Sequence, residues 1–297
     1  CSGGLDSTVL LHLLTVNGFN VSAIHVNYNL REEDSILDER FIRSFCNDLN
    51  IPFECRSIDL AEQLQSGGNL QQLARDIRYD WFEEITQENK NRFVFLAHHL
   101  DDQVETFFLN LARKSGMMGL ACMPIEINQI VRPLLDFTKD ELKEYALNNK
   151  LAWREDISNA SNKYRRNLLR NEVIPYLTHE LPELNESVIA LVKAFQENQL
   201  LLENEMRPLV NDILKNHSIE QSKTEALNDF ELIELFRQLG QTAQVSIEFK
   251  KLFKAQKGKR IELISHLENP FCSIVKEANS FSFIPNNGKS VSDELKF

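Results

Sequence analysis

The stretch that decides the fold is SGGLDS at residues 2–7, which is followed by the apolar run VLLHLL at 9–14. Two adjacent glycines let the backbone turn tightly and approach a ligand without a Cβ in the way. The first amides of the following helix lack intrahelical partners and lie at its positive end, so such a helix start binds anions. No lysine follows the second glycine at Walker A spacing. An ordinary serine–glycine turn that caps a buried helix is the alternative. The loop predicted to bind phosphate consists of Ser2, Gly3, Gly4, Leu5, Asp6 and Ser7.

The composition is that of an ordinary globular protein of 297 residues, with 42% hydrophobic and 26% charged residues. The five cysteines are scattered, odd in number and never spaced as CxxC, which argues for a reducing cytoplasm and against a zinc, iron–sulfur or disulfide framework. No membrane span or signal peptide is recognisable, so we expect a cytoplasmic protein. A phosphate loop of this kind follows a strand, and because nothing precedes Cys1 we expect the first strand to be missing from this chain.

Short apolar runs alternate with helical patterns over the first 150 residues, which predicts an α/β fold with a doubly wound, Rossmann-like parallel sheet. We predict strands at 21–26, 53–58 and 93–98, and helices at 8–16, 35–49, 70–85 and 101–113. Ligands of such sheets bind beyond the carboxyl ends of the strands. By this rule we expect Ser2 and the segments 25–27 and 98–99 to lie in one crevice.

The pattern becomes helical after residue 137, where Thr138 and Glu141 suit a capping box. Helices are expected at 138–148, at 163–177 with a break near Pro175, and at 183–216 with Pro208 inside. A smaller α+β domain follows, with a helix at 226–239 and strands at 260–264, 272–276 and 281–284. The chain is thereby divided into a catalytic domain at 1–180, a helical linker at 181–217 and a small domain at 218–297.

The second informative segment is HHLDDQVET at 98–106. On a helix, Asp102 and Glu105 share a face. Carboxylates at a strand-to-helix turn suit Mg²⁺, which prefers oxygen ligands, or a substrate ammonium. His98 could contact a reacting oxygen or exchange protons. The predicted catalytic residues are Asp6, His98, Asp102 and Glu105, with Asp102 and Glu105 as the magnesium ligands. A capped, solvated acidic helix start is the alternative.

The net charge of −11 opposes a nucleic-acid partner, but the charge is unevenly distributed. Residues 1–150 carry 14 Lys and Arg against 23 Asp and Glu, whereas residues 151–297 carry 19 against 21. Residues 154–171 hold five cations and two acids, which is an electrostatic footprint for an RNA backbone. The cations are Arg154, Lys163, Arg165, Arg166 and Arg170. A solvated helix face is the alternative.

The ordered motifs of the first 180 residues resemble the tRNA(Ile)-lysidine synthetases of the PP-loop ATP pyrophosphatase superfamily. The matching pieces are SGGLDS at 2–7, HVNYNLR at 25–31, LARDIRYDWF at 73–82, HHLDDQVETFFLNLARKSGMMGL at 98–120, RPLLDFTKDEL at 132–142 and WREDISNASNKYRRNLLRNEVIP at 153–175. Tyr28 stands where the family commonly has histidine, and Lys114 where it commonly has glycine. The second of these departures bears on the local loop conformation.

The resemblance implies an ATP- and Mg²⁺-dependent ligase. L-Lysine is joined to the wobble cytidine of tRNA(Ile) with a CAU anticodon, through an adenylated cytidine, giving lysidine, AMP and pyrophosphate. It also implies that residues 218–297 bind the tRNA. Arg75 and Arg78 share a helix face and could reach a phosphate or the tRNA, or they could be plain surface arginines. A homodimer is a further expectation.

Two other functions stay open. The chain could be another PP-loop enzyme, either a tRNA thiolase or a small-molecule amidating synthetase. Thiolases usually need cysteine pairs, and amidating enzymes would not need the basic 154–171 element. The third possibility is a non-catalytic module that binds a nucleotide or RNA. The presence of Asp6, Asp102 and Glu105 together argues against it.

Overall fold

The chain folds as two units, residues 1–195 and residues 196–297. The structure, a computed structural model, describes residues 1–29, 32–60, 70–155, 165–263 and 270–286. Lys163, Ile264 and the end of the predicted small domain lie outside the described residues. No helix in the described ranges has both the length and the apolar character that crossing a bilayer requires.

The first unit alternates helices with strands, as the sequence predicts. Its elements are α1 (Leu5–Val16), β1 (Ala23–Asn27), α2 (Glu32–Asp48), β2 (Phe53–Ser57), α3 (Leu70–Glu88), β3 (Val94–Phe95), α4 (Leu100–Ala112), α5 (Gly116–Leu120), β4 (Glu126–Ile127), β5 (Ile130–Val131), α6 (Lys139–Asn148), α7 (Arg165–Leu168), a π-helical turn (Leu169–Val173) and α8 (Ile174–Glu180). Strands β1 and β2 pair in parallel, as do β3 and β5, and β4 is antiparallel to β5. The predicted parallel α/β architecture is therefore confirmed, with one antiparallel strand added.

Helix α1 is packed on two sides, and this packing fixes the phosphate loop at its start. Leu5, Val9 and Leu10 pack into a cluster with residues of α6 and the preceding loop, and Trp153 lies against the same cluster. Leu11 packs on the other side, against β1 and α2. Because the helix is held from both sides, its N-terminus has a fixed position.

Three predicted boundaries differ from the structure. Helix α1 begins at Leu5 rather than Thr8, because Gly4 already serves as its N-cap. Strand β3 is much shorter than predicted. Residues 165–180 also follow one helical path without a break at Pro175, since a wide π turn precedes this proline, which lies in the first turn of α8.

A long helix, α9 (Leu184–Asn216), contains the boundary between the two units. Val188 and Val192 pack in a core of the first unit, whereas Met206, Val210 and Ile213 pack in the core of the second. The predicted helix at 183–216 is thus found, with its two halves in different cores. The three-part division of the chain stays a prediction.

The second unit is a small antiparallel sheet packed with helices. Its remaining elements are β6 (Ser218–Glu220), α10 (Gln221–Glu225), α11 (Asp229–Gln238), α12 (Ala243–Phe253), β7 (Arg260–Glu262), β8 (Phe271–Lys276) and β9 (Ser280–Pro285). The strand order is β6-β9-β8-β7, and the core is rich in phenylalanine. The sequence analysis missed β6, α10 and α12, and its predicted helix at 226–239 corresponds to α11. Asn228 separates α10 from α11 by capping the start of α11.

Candidate active site

The phosphate loop has the tight geometry that its glycines predict. Gly3 has a φ of +80°, which a residue with a Cβ rarely adopts, whereas Gly4 has an ordinary φ of −73°. The Ser7 hydroxyl donates to the Gly4 carbonyl at 3.1 Å and accepts from the Ser2 amide at 3.2 Å. The Arg154 amide donates to the Gly3 carbonyl at 2.9 Å. The loop is therefore closed by its own serines and tied to the segment after α6.

His99, buried at the start of α4, connects the phosphate loop to the acidic helix start. Its Nε2 lies 3.8 Å from Asp6 Oδ2 and 3.5 Å from Asp102 Oδ2, and its Nδ1 lies 3.3 Å from Asp101 Oδ2. Burial lowers the pKa of His99, but the nearby carboxylates of Asp101, Asp102 and Asp6 outweigh it, so the pKa is raised overall. The three carboxylates thus stabilise the protonated ring.

Asp102 and Glu105, both buried, hold two arginines that come from about sixty residues later in the chain. Arg166 donates to Asp102 Oδ1 at 2.8 Å and to Glu105 Oε2 at 2.6 Å. Arg170 donates to Asp102 Oδ1 at 3.1 Å and to both Glu105 oxygens, at 2.5 and 3.0 Å. The second oxygen of Asp102 accepts the His99 amide at 3.1 Å. The carboxylate pair is therefore a strong cation-binding site.

This arrangement does not fit the predicted magnesium site on Asp102 and Glu105. Every carboxylate oxygen of the pair already accepts a hydrogen bond, and guanidinium groups occupy the side that a metal would need. Asp6 does fit a metal, because its Oδ1 is buried without a hydrogen-bond partner among the described residues. Burial raises the pKa of Asp6, because the nearby cations do not fully balance the charge of this carboxylate.

His98 lies in a mixed electrostatic environment, in which burial dominates and the charges of Asp102 and of three arginines oppose each other. Burial, helped by the charges of Arg132, Arg166 and Arg75 and opposed by that of Asp102, lowers its pKa to about 4. Its Nδ1 is buried without a hydrogen-bond partner among the described residues. An uncharged ring with an unused nitrogen can hydrogen-bond a polar ligand but is a weak base.

Arg132 is a site residue that the sequence analysis quoted within a motif but did not assign. It follows β5 directly and is buried; it donates to the Pro124 carbonyl at 3.0 Å, whereas its Nε has no partner among the described residues. Since β5 pairs in parallel with β3, Arg132 and His98 lie at the same edge of the sheet. The missed signal was an arginine at a strand end, where ligands bind.

A cavity of about 470 Å³ opens beside the carboxylate pair. Glu105, Arg170 and His99 line one part of it, and Val104 and Ile174 form an apolar wall. The cavity thus joins an end that holds both carboxylates and cations to an apolar wall, which suits a ligand with a charged end and an aliphatic stem.

The other predicted contact residues have mostly local partners. Arg75 is exposed and stacks over the Tyr79 ring at 4.2 Å, and Arg78 donates to the Tyr28 hydroxyl at 3.3 Å. Arg154 pairs with Asp38. Arg165 is exposed at the start of α7. The structure thus brings Arg166 and Arg170 into the crevice and leaves Arg165 outside it.

The chain is similar in sequence to tRNA(Ile)-lysidine synthases. A tRNA(Ile)-lysidine synthase of Porphyromonas gingivalis strain W83 is 39% identical over 190 residues, which cover 63% of this chain and 42% of that protein. One from Bacillus subtilis strain 168 is 36% identical over 237 residues, 76% of this chain and 50% of that protein. The chain spans about half the length of these relatives.

A solved structure shows the same fold at low sequence identity. A U34-tRNA thiolase from Methanococcus maripaludis, solved with its iron–sulfur cluster, superimposes with a TM-score of 0.54 at 20% identity, over 66% of this chain and 69% of that one. The family model described as a PP-loop domain matches residues 1–177. Because this match covers more than half of the chain, the chain belongs to the PP-loop domain family.

Proposed function

We propose that this protein joins L-lysine to the wobble cytidine of a tRNA(Ile) with a CAU anticodon, at the expense of ATP. The observation that carries the proposal is the buried Asp102–Glu105 pair, a cation-binding site close to a phosphate loop. The similarity to tRNA(Ile)-lysidine synthases supports the choice of substrate.

The phosphate loop would bind ATP. Gly4 carries no side chain over the start of α1, so the first amides of this helix can donate to phosphate oxygens. The free oxygen of Asp6 would hold Mg²⁺ against the phosphates, where the ion neutralises their charge. The cytidine 2-carbonyl oxygen attacks the α-phosphorus, pyrophosphate leaves, and an adenylated cytidine forms.

The second step uses lysine as the nucleophile. Its ε-nitrogen attacks carbon 2 of the adenylated cytidine, the bond to the adenylate oxygen breaks, and AMP leaves. The cavity beside Glu105 would hold the lysine, with its aliphatic stem along Val104 and Ile174. His98, uncharged and at the same sheet edge, would hydrogen-bond the cytosine. Glu105, which lines the cavity, and Asp101 would contribute negative charge at the end of the lysine chain.

The test is incorporation of labelled lysine into an unmodified tRNA(Ile) transcript with a CAU anticodon, with AMP and pyrophosphate measured in parallel. Lysine incorporation with equimolar AMP is expected. A transcript whose wobble base is uridine and a reaction with arginine in place of lysine are the matched controls. AMP release without lysine incorporation, or incorporation into the uridine transcript, would contradict the proposal. Sulfur transfer to the tRNA would instead favour the thiolase reading.

A further inference from the structure

Arg132 is a buried arginine without a carboxylate partner. Only 5% of its surface is exposed, and it forms no ion pair within the described part of the chain. The arginines Arg154, Arg166 and Arg170 are, by contrast, all paired with carboxylates. A guanidinium stays charged throughout the physiological pH range, and an unpaired charge is costly to bury. A cation kept in such a place therefore indicates that an anionic group binds there.

The loop between α5 and β4 holds the Arg132 side chain in a fixed position. The Arg132 amide donates to the Ile125 carbonyl at 2.8 Å, and its Nη1 donates to the Pro124 carbonyl at 3.0 Å. Gln103, which is buried on α4, holds this loop in turn. Its side-chain nitrogen donates to the Met123 carbonyl at 2.6 Å, and its side-chain oxygen accepts the Met123 amide at 3.0 Å. The arginine is thus positioned from the helix that carries the carboxylate pair.

Most of the hydrogen-bonding capacity of this guanidinium is unused. A guanidinium has five N–H donors, and within the described residues the Pro124 carbonyl is the acceptor of a single side-chain hydrogen bond. The Nε of Arg132 is buried without a partner in the same part of the chain. A rigid fork of N–H donors matches the oxygens of a phosphate group better than those of a single carbonyl. The expected ligand is therefore a phosphate.

Arg132 lies near His98 at the carboxyl edge of the sheet. Strand β3 pairs in parallel with β5, and the Leu96 amide donates to the Val131 carbonyl at 2.8 Å. Arg132 therefore lies beside the segment that leads from β3 to His98. After burial, and against the charge of Asp102, Arg132 is the arginine that lowers the pKa of His98 most. The two side chains are thus close enough to contact neighbouring groups of one ligand.

In the proposed reaction, the phosphate next to the base is the α-phosphate of ATP. His98 would hydrogen-bond the cytosine, and the 2-carbonyl oxygen of this cytosine attacks the α-phosphorus. The α-phosphate must therefore come within bonding distance of the base that His98 binds. A preorganised cation at a transferring phosphoryl group stabilises the charge on its oxygens in the transition state. Arg132 is the buried, unpaired cation at that place.

We propose that Arg132 binds the α-phosphate of ATP and of the adenylated cytidine, as a catalytic residue. The proposal rests on the proposed function, since it takes a cytosine to lie beside His98. In the first step, the bond from the cytidine oxygen to the α-phosphorus forms, and the bond from the α-phosphorus to the pyrophosphate oxygen breaks. The electron pair of the broken bond leaves with pyrophosphate. Arg132 neither gives nor takes a proton and neutralises charge on the α-phosphate oxygens.

The first test measures binding and needs no turnover. AMP and adenosine differ only in the phosphate that becomes the α-phosphate of ATP, and calorimetry gives the affinity of each for the unchanged protein, R132Q and R132K. We expect R132Q to lower the ratio of AMP affinity to adenosine affinity by about tenfold, the value of one hydrogen bond to a charged group. R132K keeps the charge but loses the fork, so it should lower the ratio less.

The second test identifies the contacted atom. Pyrophosphate release in the presence of tRNA is measured with ATP and with the two diastereomers of ATPαS, in which sulfur replaces one non-bridging α-oxygen. We expect R132Q to slow release from ATP by roughly 10² to 10³, the usual loss when one preorganised electrostatic group is removed. One diastereomer should be slow with the unchanged protein and no slower than ATP with R132Q, because the same contact cannot be lost twice. A merely structural role of Arg132 would leave this sulfur effect unchanged.

The matched control is R92Q, which removes an exposed arginine of the same unit that pairs with Glu88 at 3.2 Å. Exposed pairs contribute little, so both readouts should match those of the unchanged protein. An unchanged ratio of AMP to adenosine affinity in R132Q would overturn the proposal, and so would a sulfur effect of undiminished size. Weaker tRNA binding with a flatter salt dependence, together with a normal AMP ratio, would assign Arg132 to an RNA backbone phosphate and would also overturn it.

Two further outcomes are separated by the same measurements. Thermal unfolding is recorded for each variant, and if R132Q does not fold, R132K decides by the direction of its change in the AMP ratio and the sulfur effect. If the unchanged protein releases pyrophosphate but incorporates no lysine, the proposed function fails. The comparison of AMP with adenosine then still decides the role of Arg132.

Discussion

His98 and His99 are neighbours in sequence but have different electrostatic surroundings. His99 lies close to the carboxylates of Asp6, Asp101 and Asp102, whereas His98 feels the charges of three arginines as well as that of Asp102. The pKa of His98 is lowered to about 4, and that of His99 is raised. One residue therefore favours its neutral form and the other its charged form in the same crevice.

The lowered pKa of His98 and the raised pKa of His99 predict how the free energy of unfolding depends on pH. The folded pKa of His98 lies below its unfolded value of 6.5, so its contribution to stability is complete above pH 6.5 and is lost as the pH falls toward about 4. His99 acts in the opposite sense, since its stabilisation is present below pH 6.5 and is lost as the pH rises through its raised pKa. NMR titration should show the His98 ring titrating near 4, and H98Q should flatten the loss of unfolding free energy between pH 6.5 and 4. A His98 pKa near 6.5 would contradict the burial argument.

The two loop glycines should respond differently to substitution. At Gly4 an added Cβ would lie 3.5 Å from the Ser2 hydroxyl at ordinary φ, so G4V should keep the fold while filling the space where a phosphate approaches. At Gly3 a Cβ would lie 3.2 Å from Ile42 and require a φ of +80°, so G3A should lower stability by about 1–2 kcal/mol. Calorimetric ATP binding and thermal unfolding separate the two effects. Normal ATP affinity in G4V would show that this loop does not bind ATP.

Lys114 occupies a conformation that favours glycine. It lies just after α4 with a φ of +57°, the position at which helices commonly end on glycine. Glycine avoids the strain of a Cβ there, although its greater freedom in the unfolded chain offsets part of the gain. We expect K114G to raise the free energy of unfolding by about 0.5–1 kcal/mol in urea titrations. K114A, which keeps the Cβ, is the control and should bring no such gain.

At the scale of elements, α4 carries the chemistry because it presents Asp102 and Glu105 on one face. D102N keeps an oxygen for the His99 amide but removes the charge that holds the arginines. We expect turnover to fall by roughly 10² to 10³, the usual loss when one preorganised electrostatic group is removed. The readout is lysine-dependent AMP release, and D80N, on the exposed side of α3, is the control. Unchanged turnover in D102N would make this carboxylate a structural helix cap.

Local patterns predict the elements of the first unit better than its site. The helical period predicts α2 and α3, and Thr138 with Glu141 correctly predicts the start of α6, because caps and periodicity depend on neighbouring residues. The pairing of Arg166 with Glu105 depends on residues 61 apart, so no local pattern contains it. For the same reason the predicted RNA-binding arginines turn out to pair with the predicted metal ligands.

At the scale of the whole chain, α9 constrains where the two units can be separated. A chain ending at residue 217 would keep Met206, Val210 and Ile213 but remove the sheet that covers them, since they belong to the second core. A chain ending at residue 195 avoids this exposure. We therefore expect residues 1–195 to retain ATP binding by calorimetry and residues 1–217 to aggregate in size-exclusion chromatography. Equal solubility of the two pieces would argue that this half of α9 is an independent linker.

The π turn at Leu169–Val173 holds one residue more than the α turn that it replaces. This helical segment therefore contains one residue more than its number of turns requires. A three-nucleotide deletion in the coding sequence within this turn would leave a continuous α-helix, and the side chains before and after it would keep nearly the same angular relation, because the wide turn already absorbs one residue. Arg166 and Arg170 lie on either side of Leu169, and without Leu169 they would be three residues apart, a spacing that still shares one helix face toward Glu105. The spare residue thus makes this segment tolerant of a one-residue deletion, a property that substitutions alone would not reveal.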